Sequence, residues 1–126
     1  MTRPLATGQT ASTARTFSLA DAKKLTKISG APLSDTAVPE ALINGMFSYL
    51  LGVDLPGQGT NYLKQETEFV GEALYGEALT ATVEITRLRP DKHLVDLATT
   101  CKTAAGKLIA RGRALVLARD VEGAWG

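Results

Sequence analysis

The sequence holds one cysteine, Cys101, and one histidine, His93, among 126 residues. A lone thiol excludes an internal disulfide, and thiol or imidazole clusters able to hold zinc or an iron-sulfur centre are missing. No metal or other cofactor is therefore expected, and a reducing compartment suits the cysteine usage. Net charge is scarce too: 14 lysines and arginines stand against 13 aspartates and glutamates, a formal +1. These charges are scattered, so neither nucleic acid nor an anionic membrane finds an electrostatic footprint. Long apolar runs are absent as well. Ala41 to Leu55 is the longest candidate, but Asn44, Ser48 and Asp54 interrupt it and it falls short of a bilayer span; the N-terminus lacks a signal peptide's apolar region. A soluble cytoplasmic protein is expected.

What is present is ordinary for a packed domain: 44% apolar and 21% charged residues. The length suits one domain spanning 1–126, with a core from about Leu5 to Ala118 and loosely held termini. Ser18 followed by Asp21 offers an N-terminal cap, and Leu19, Ala22, Leu25 and Ile28 recur at helical spacing until Gly30, predicting a helix over Leu19 to Ser29. Pro39 opens a second helix, to about Leu51, whose residues Ala41, Leu42, Ile43, Met46, Phe47, Tyr49, Leu50 and Leu51 leave almost no polar face. That helix should be enclosed. Pro56, Gly57 and Gly59 mark a tight turn, and strands follow at about 60–69, 77–89, 93–103 and 107–119, after an earlier one at 9–18. Leu79, Ala81, Val83 and Ile85 alternate with Thr80, Thr82, Glu84 and Thr86, the period of a half-buried strand. Small residues on one face of the last strand, among them Ala110, Gly112, Ala114 and Ala118, would let a helix pack closely. The fold class is α+β, an antiparallel sheet wrapped around a central helix.

The stretch Leu55-Pro56-Gly57-Gln58-Gly59-Thr60-Asn61-Tyr62-Leu63-Lys64-Gln65, with Phe69, Gly76-Glu77 and Val83-Glu84-Ile85 after it, resembles the MaoC-like family that includes the (R)-specific enoyl-CoA hydratases. Leu5, Gly8-Gln9, Phe17-Ser18 and Ile28-Ser29-Gly30 upstream, and 106–116 downstream, extend the resemblance to about Leu5 to Ala118. It implies a hot-dog fold, a homodimer in which two sheets join, and sites at the subunit boundary for thioesters of CoA or acyl carrier protein. The hydratases carry an aspartate after the Ser-Gly pair, then Asn-Pro and a histidine. Here Ala31 stands at the aspartate position and Pro32-Leu33-Ser34-Asp35 replaces the rest, so the acid/base pair is missing and the connection covering the acyl chain is shortened.

Asn44-Gly45-Met46 stands where the family has His-Gly-Met, and the resemblance makes the Gly45 amide, at a helix start, the group that polarises the thioester carbonyl. Close packing is the bland alternative for that glycine. Asn44 could donate its side-chain amide to a carbonyl or serve as a local cap. Asp35 and Glu40 are acid/base candidates, against a turn residue and a first-turn complement to the helix dipole respectively. Met46, Gly57, Gly59 and Tyr62 are the substrate-binding candidates. His93 reads as a surface residue, Cys101 as a small structural hydrophobe, and Arg87, Arg89, Lys92, Arg111 and Arg113 as solvated strand faces. Three functions remain open: a thioester enzyme of the hydratase type with an altered site, a non-catalytic acyl-binding or partner subunit, and a hot-dog thioesterase.

Overall fold

The computed structural model describes residues 4–29 and 36–126. The strands β1 (Thr10–Thr16), β2 (Asn61–Phe69), β3 (Ala78–Arg89), β4 (Leu94–Thr103) and β5 (Leu108–Leu117) form one sheet in the order β1-β3-β4-β5-β2. Every neighbouring pair is antiparallel. Helices α1 (Leu19–Ser29) and α2 (Glu40–Tyr49) lie between β1 and β2 in the chain, and α2 continues into a π-helical turn at Leu50–Asp54. This is the expected architecture, with strand ends within a few residues of those read from periodicity. Among the described residues no helix is long and apolar enough to cross a membrane.

Local chemistry explains the elements. At the start of α1 the Ser18 N–H donates to Asp21 Oδ2 at 2.8 Å while the Asp21 N–H donates to Ser18 Oγ at 3.2 Å, a reciprocal cap. The hydrogen bond from the Ser18 backbone, then that from its side chain, holds the Asp21 carboxyl below its ordinary range. Alternation places Leu79, Ala81, Val83 and Ile85 of β3 and Val95, Leu97, Thr99 and Cys101 of β4 on the inner face. Burial pushes the Cys101 thiol up to about 11, consistent with an inert apolar filler. Onto this face α2 and its continuation lay Ile43, Met46, Phe47, Leu50 and Leu51, all buried. Each such side chain contributes about 1.5–3 kcal/mol of transfer free energy.

Two expectations are corrected. The central helix is not almost wholly enclosed: Glu40, Ala41, Gly45, Ser48 and Tyr49 remain exposed. These residues are mostly small or polar, so leaving them in water costs little. Nor is the C-terminal tail loose. Val121 and Ala124 are buried, the Trp125 Nε1–H donates to the Ala118 carbonyl at 3.0 Å, and the Leu5 N–H donates to the Ala124 carbonyl at 2.8 Å. Trp125 also meets the ring of His93 edge-on at 5.5 Å, so that histidine is half-buried rather than a free surface residue.

One row across the inner face is chemically odd. Thr67 of β2 opposes Gly112 of β5, which opposes Thr99 of β4. A Cβ at Gly112 would collide with the backbone of Glu66, so only glycine lets β2 approach this closely. Thr99 is 1% exposed and its hydroxyl has no hydrogen-bond partner among the described residues. Replacing that hydroxyl with a methyl removes an unpaired buried dipole at constant shape, so Thr99→Val is expected to raise unfolding free energy by about 1 kcal/mol. Gly112→Ala is expected to lower it by about 1–3 kcal/mol through overpacking. Urea denaturation measures both, and a destabilised Thr99→Val would show that the hydroxyl is satisfied after all.

Candidate functional site

The inner face of β2 turns polar where it meets α2. Gln65, Thr67 and Phe69 alternate inward, half-buried, while Glu66 and Glu68 point outward and pair with Arg113 at 3.1 Å and Arg111 at 3.3 Å. The register shifts between Tyr62 and Lys64, so that Tyr62 opposes Val116 and Gln65 opposes Ala114. This bulge brings Tyr62 and Gln65 to the same face despite their odd spacing.

Asn44, in the second turn of α2, projects into this seam. Its Oδ1 accepts hydrogen bonds from Gln65 Nε2 and from Thr67 Oγ1, each at 3.1 Å, and Gln65 Nε2 also donates to Thr67 Oγ1 at 3.2 Å. The triangle fills both lone pairs of the Asn44 carbonyl and fixes which way the amide points. Its Nδ2 donates to none of the described residues. One helical turn further on, Ser48 hydrogen-bonds Tyr62. Burial raises the Tyr62 phenol above its ordinary range, with the Ser48 bond opposing it. The seam thus gathers Asn44, Ser48, Tyr62, Gln65 and Thr67, and none of these is a carboxylate or imidazole.

The other sequence-derived candidates lie elsewhere. Because α2 begins at Glu40, Gly45 sits past the positions whose amides lack an intrahelical acceptor, which corrects its placement at a helix start. Gly45 and Met46 line a groove of about 210 Å³ with Phe17, Leu42 and Tyr49, and the Arg15 guanidinium lies 5.4 Å from the Tyr49 ring centroid. A Cβ on Gly45 would meet nothing, so close packing does not explain the glycine either. Glu40 opens α2 in a separate depression beside Val38, Ile43 and Phe69. Gly57 and Gly59, at φ 108° and 100°, line a third groove whose rim carries Asp54, Asp120 and Glu122. Three carboxylates there would repel phosphate, and Gly59 has a packing reason of its own, since a Cβ would strike the Asp120 backbone. Asp35 and Ala31 fall outside the described residues. Of the candidates, Asn44 and Tyr62 come together at the seam, Gly45 and Met46 in one groove, and Gly57 and Gly59 in another. Ser48, Gln65 and Thr67 escaped the sequence reading, although two polar residues at inward spacing before Phe69 were a usable signal.

No family model matches the chain. The (R)-specific enoyl-CoA hydratase of Rhodospirillum rubrum is 42% identical over 73 residues, covering 58% of this chain and 50% of that enzyme. The (R)-specific enoyl-CoA hydratase of Aeromonas caviae is 41% identical over 86 residues, 64% of either chain. These matched stretches span from half to under two thirds of the relatives' length. The solved structure of the A. caviae (R)-hydratase superposes with a TM-score of 0.82 at 32% identity, over 89% of this chain and 96% of that one.

The raised Tyr62 pKa has a pH consequence. A folded value above the unfolded one means that the stabilisation from the neutral phenol is whole below pH of about 10 and fades as pH rises through the folded value. In an alkaline absorbance titration, the difference between the wild type and Tyr62→Phe is expected to show a phenol ionising above the free tyrosine range. Ionisation at or below that range would contradict the seam's burial.

Proposed function

Because the chain belongs to the MaoC-like hot-dog family that includes the (R)-specific enoyl-CoA hydratases, we propose that it binds acyl thioesters, carried by CoA or acyl carrier protein, at a site without the hydratase acid/base pair. The observation that carries this reading is that the seam's side chains are amides and hydroxyls, with neither carboxylate nor imidazole among its described residues. Adding water across an enoyl double bond needs a group to take a proton and one to return it. Asn44 occupies the position at which the resemblance places a histidine, and its one acceptor oxygen is already filled by Gln65 and Thr67. Ala31, at the position of the hydratase aspartate, can neither accept a proton nor hold a water. The seam can still polarise a carbonyl, and a single such donor contributes about a hundredfold to a thousandfold where charge develops on oxygen.

The same reading includes a cytoplasmic homodimer. β2 is an edge strand with one side bonded to β5, and Leu63, 53% exposed, and the partly buried Tyr62, 39% exposed, lie on it. Pairing β2 with its counterpart across a two-fold axis would close this edge and bring two seams together. Light scattering at micromolar concentration is expected to give twice the chain mass, and a monomer would count against the pairing.

Crotonyl-CoA is expected to bind but not to be hydrated at a rate typical of the family, the loss being about a hundredfold to ten-thousandfold for each missing acid/base partner. Following absorbance of the enoyl thioester measures hydration, and calorimetry with butyryl-CoA measures binding. Hydration at family rates would mean that another residue, with Asp35 first to mutate, has taken over. Thiol release from butyryl-CoA would favour a thioesterase, and absence of binding a structural or partner subunit.

A further inference from the structure

The seam contains a more specific assignment, which rests on the thioester-binding reading above. We infer that the Asn44 amide, rather than the Gly45 backbone, is the hydrogen-bond donor to the thioester carbonyl, and that Gln65 and Thr67 are positioning residues that hold it in donor orientation. The Gly45 amide lies inside the helical ladder, where the Ala41 carbonyl is its regular acceptor. Asn44 Nδ2 has no such claim on it: the two contacts of this side chain go to its oxygen, at 3.1 Å each, and its nitrogen donates to none of the described residues.

An asparagine amide can rotate by half a turn and exchange donor for acceptor, and unconstrained it would present either. Gln65 and Thr67 remove that freedom. Gln65 Nε2 spends its hydrogens on Asn44 Oδ1 and Thr67 Oγ1, which leaves the Thr67 hydroxyl hydrogen for Asn44 Oδ1. Each member satisfies another, so reversing the Asn44 amide would face nitrogen with two donors. At Asn44 the geometry therefore presents a donor, which suits an acceptor ligand such as a carbonyl.

Four substitutions separate this from a merely structural role. Asn44→Asp keeps both oxygen-centred hydrogen bonds to Gln65 and Thr67 but replaces the free donor with an acceptor. Gln65→Glu turns the clamp around, so that the Asn44 amide rotates and shows its oxygen to the ligand. Thr67→Val removes one arm of the clamp, and Thr67→Ser restores it.

The probe is butyryl-CoA labelled with ¹³C at the thioester carbonyl, with affinity from calorimetry and the bound carbonyl band from isotope-edited infrared difference spectra. The wild type is expected to shift the band to lower frequency. Asn44→Asp and Gln65→Glu are expected to abolish the shift and weaken binding about tenfold or more, the scale of one well-placed hydrogen bond. Thr67→Val is expected to reduce the shift and weaken binding several-fold, with Thr67→Ser close to wild type. A wild-type shift that persists in Asn44→Asp would overturn the inference while leaving thioester binding intact. Failure of the wild type to bind the probe would instead overturn the thioester reading, and this inference with it.

Discussion

Burial of one stripe of α2 against a curled sheet governs the rest of the molecule. Ile43, Met46, Phe47, Leu50 and Leu51 are each at most 2% exposed. Once they point inward, the helical period decides where every other residue of α2 must go. Asn44 and Ser48 are turned towards β2, and Gly45 and Tyr49 towards the opposite groove. The sheet supplies the matching half through Ala110, Gly112 and Ala114, whose small size lets β5 carry β2 close to the helix.

The polar seam is a consequence of where β2 sits. A central strand lined by Gln65 and Thr67 would bury amide and hydroxyl deep in the core. An edge strand leaves those groups half-exposed and pairs them with α2. The bulge near Leu63 then adds Tyr62 to the same face, against Ser48. Within the hydrogen-bonded triangle the Asn44 oxygen is engaged twice while its nitrogen is left outside, so that side chain's remaining capacity for recognition lies at the nitrogen. Among the described residues the seam carries neither carboxylate nor imidazole, and its amide and hydroxyl groups are what a polar ligand would meet there.

Much of the fold was legible because the relevant signals are local and periodic. The alternation through Leu79, Ala81, Val83 and Ile85 marked β3, and Ser18 with Asp21 marked the start of α1 down to its reciprocal hydrogen bonds. The C-terminal tail was misread because Val121, Ala124 and Trp125 are too sparse to make a period, yet they close one end of the core. The site was legible only in part. Asn44, Tyr62 and Gln65 stood in motifs resembling a known family, but Gln65 and Thr67 become partners of Asn44 only through a pairing of residues more than twenty positions apart. The bulge flips the parity of β2 between Tyr62 and Gln65, and no pattern in the strand itself announces it. Gly45 was placed at a helix start by analogy, but α2 begins earlier, at Glu40.

The central claim is that a carbonyl, and nothing requiring a base, is recognised at the free nitrogen of Asn44. A crystal structure of the protein with butyryl-CoA tests it most directly. The account predicts the thioester oxygen at about 3 Å from Asn44 Nδ2, with the Gln65 and Thr67 hydrogen bonds to Oδ1 retained. A thioester oxygen seated on the Gly45 amide, or an acyl group lodged beside Asp54 and Asp120, would contradict it.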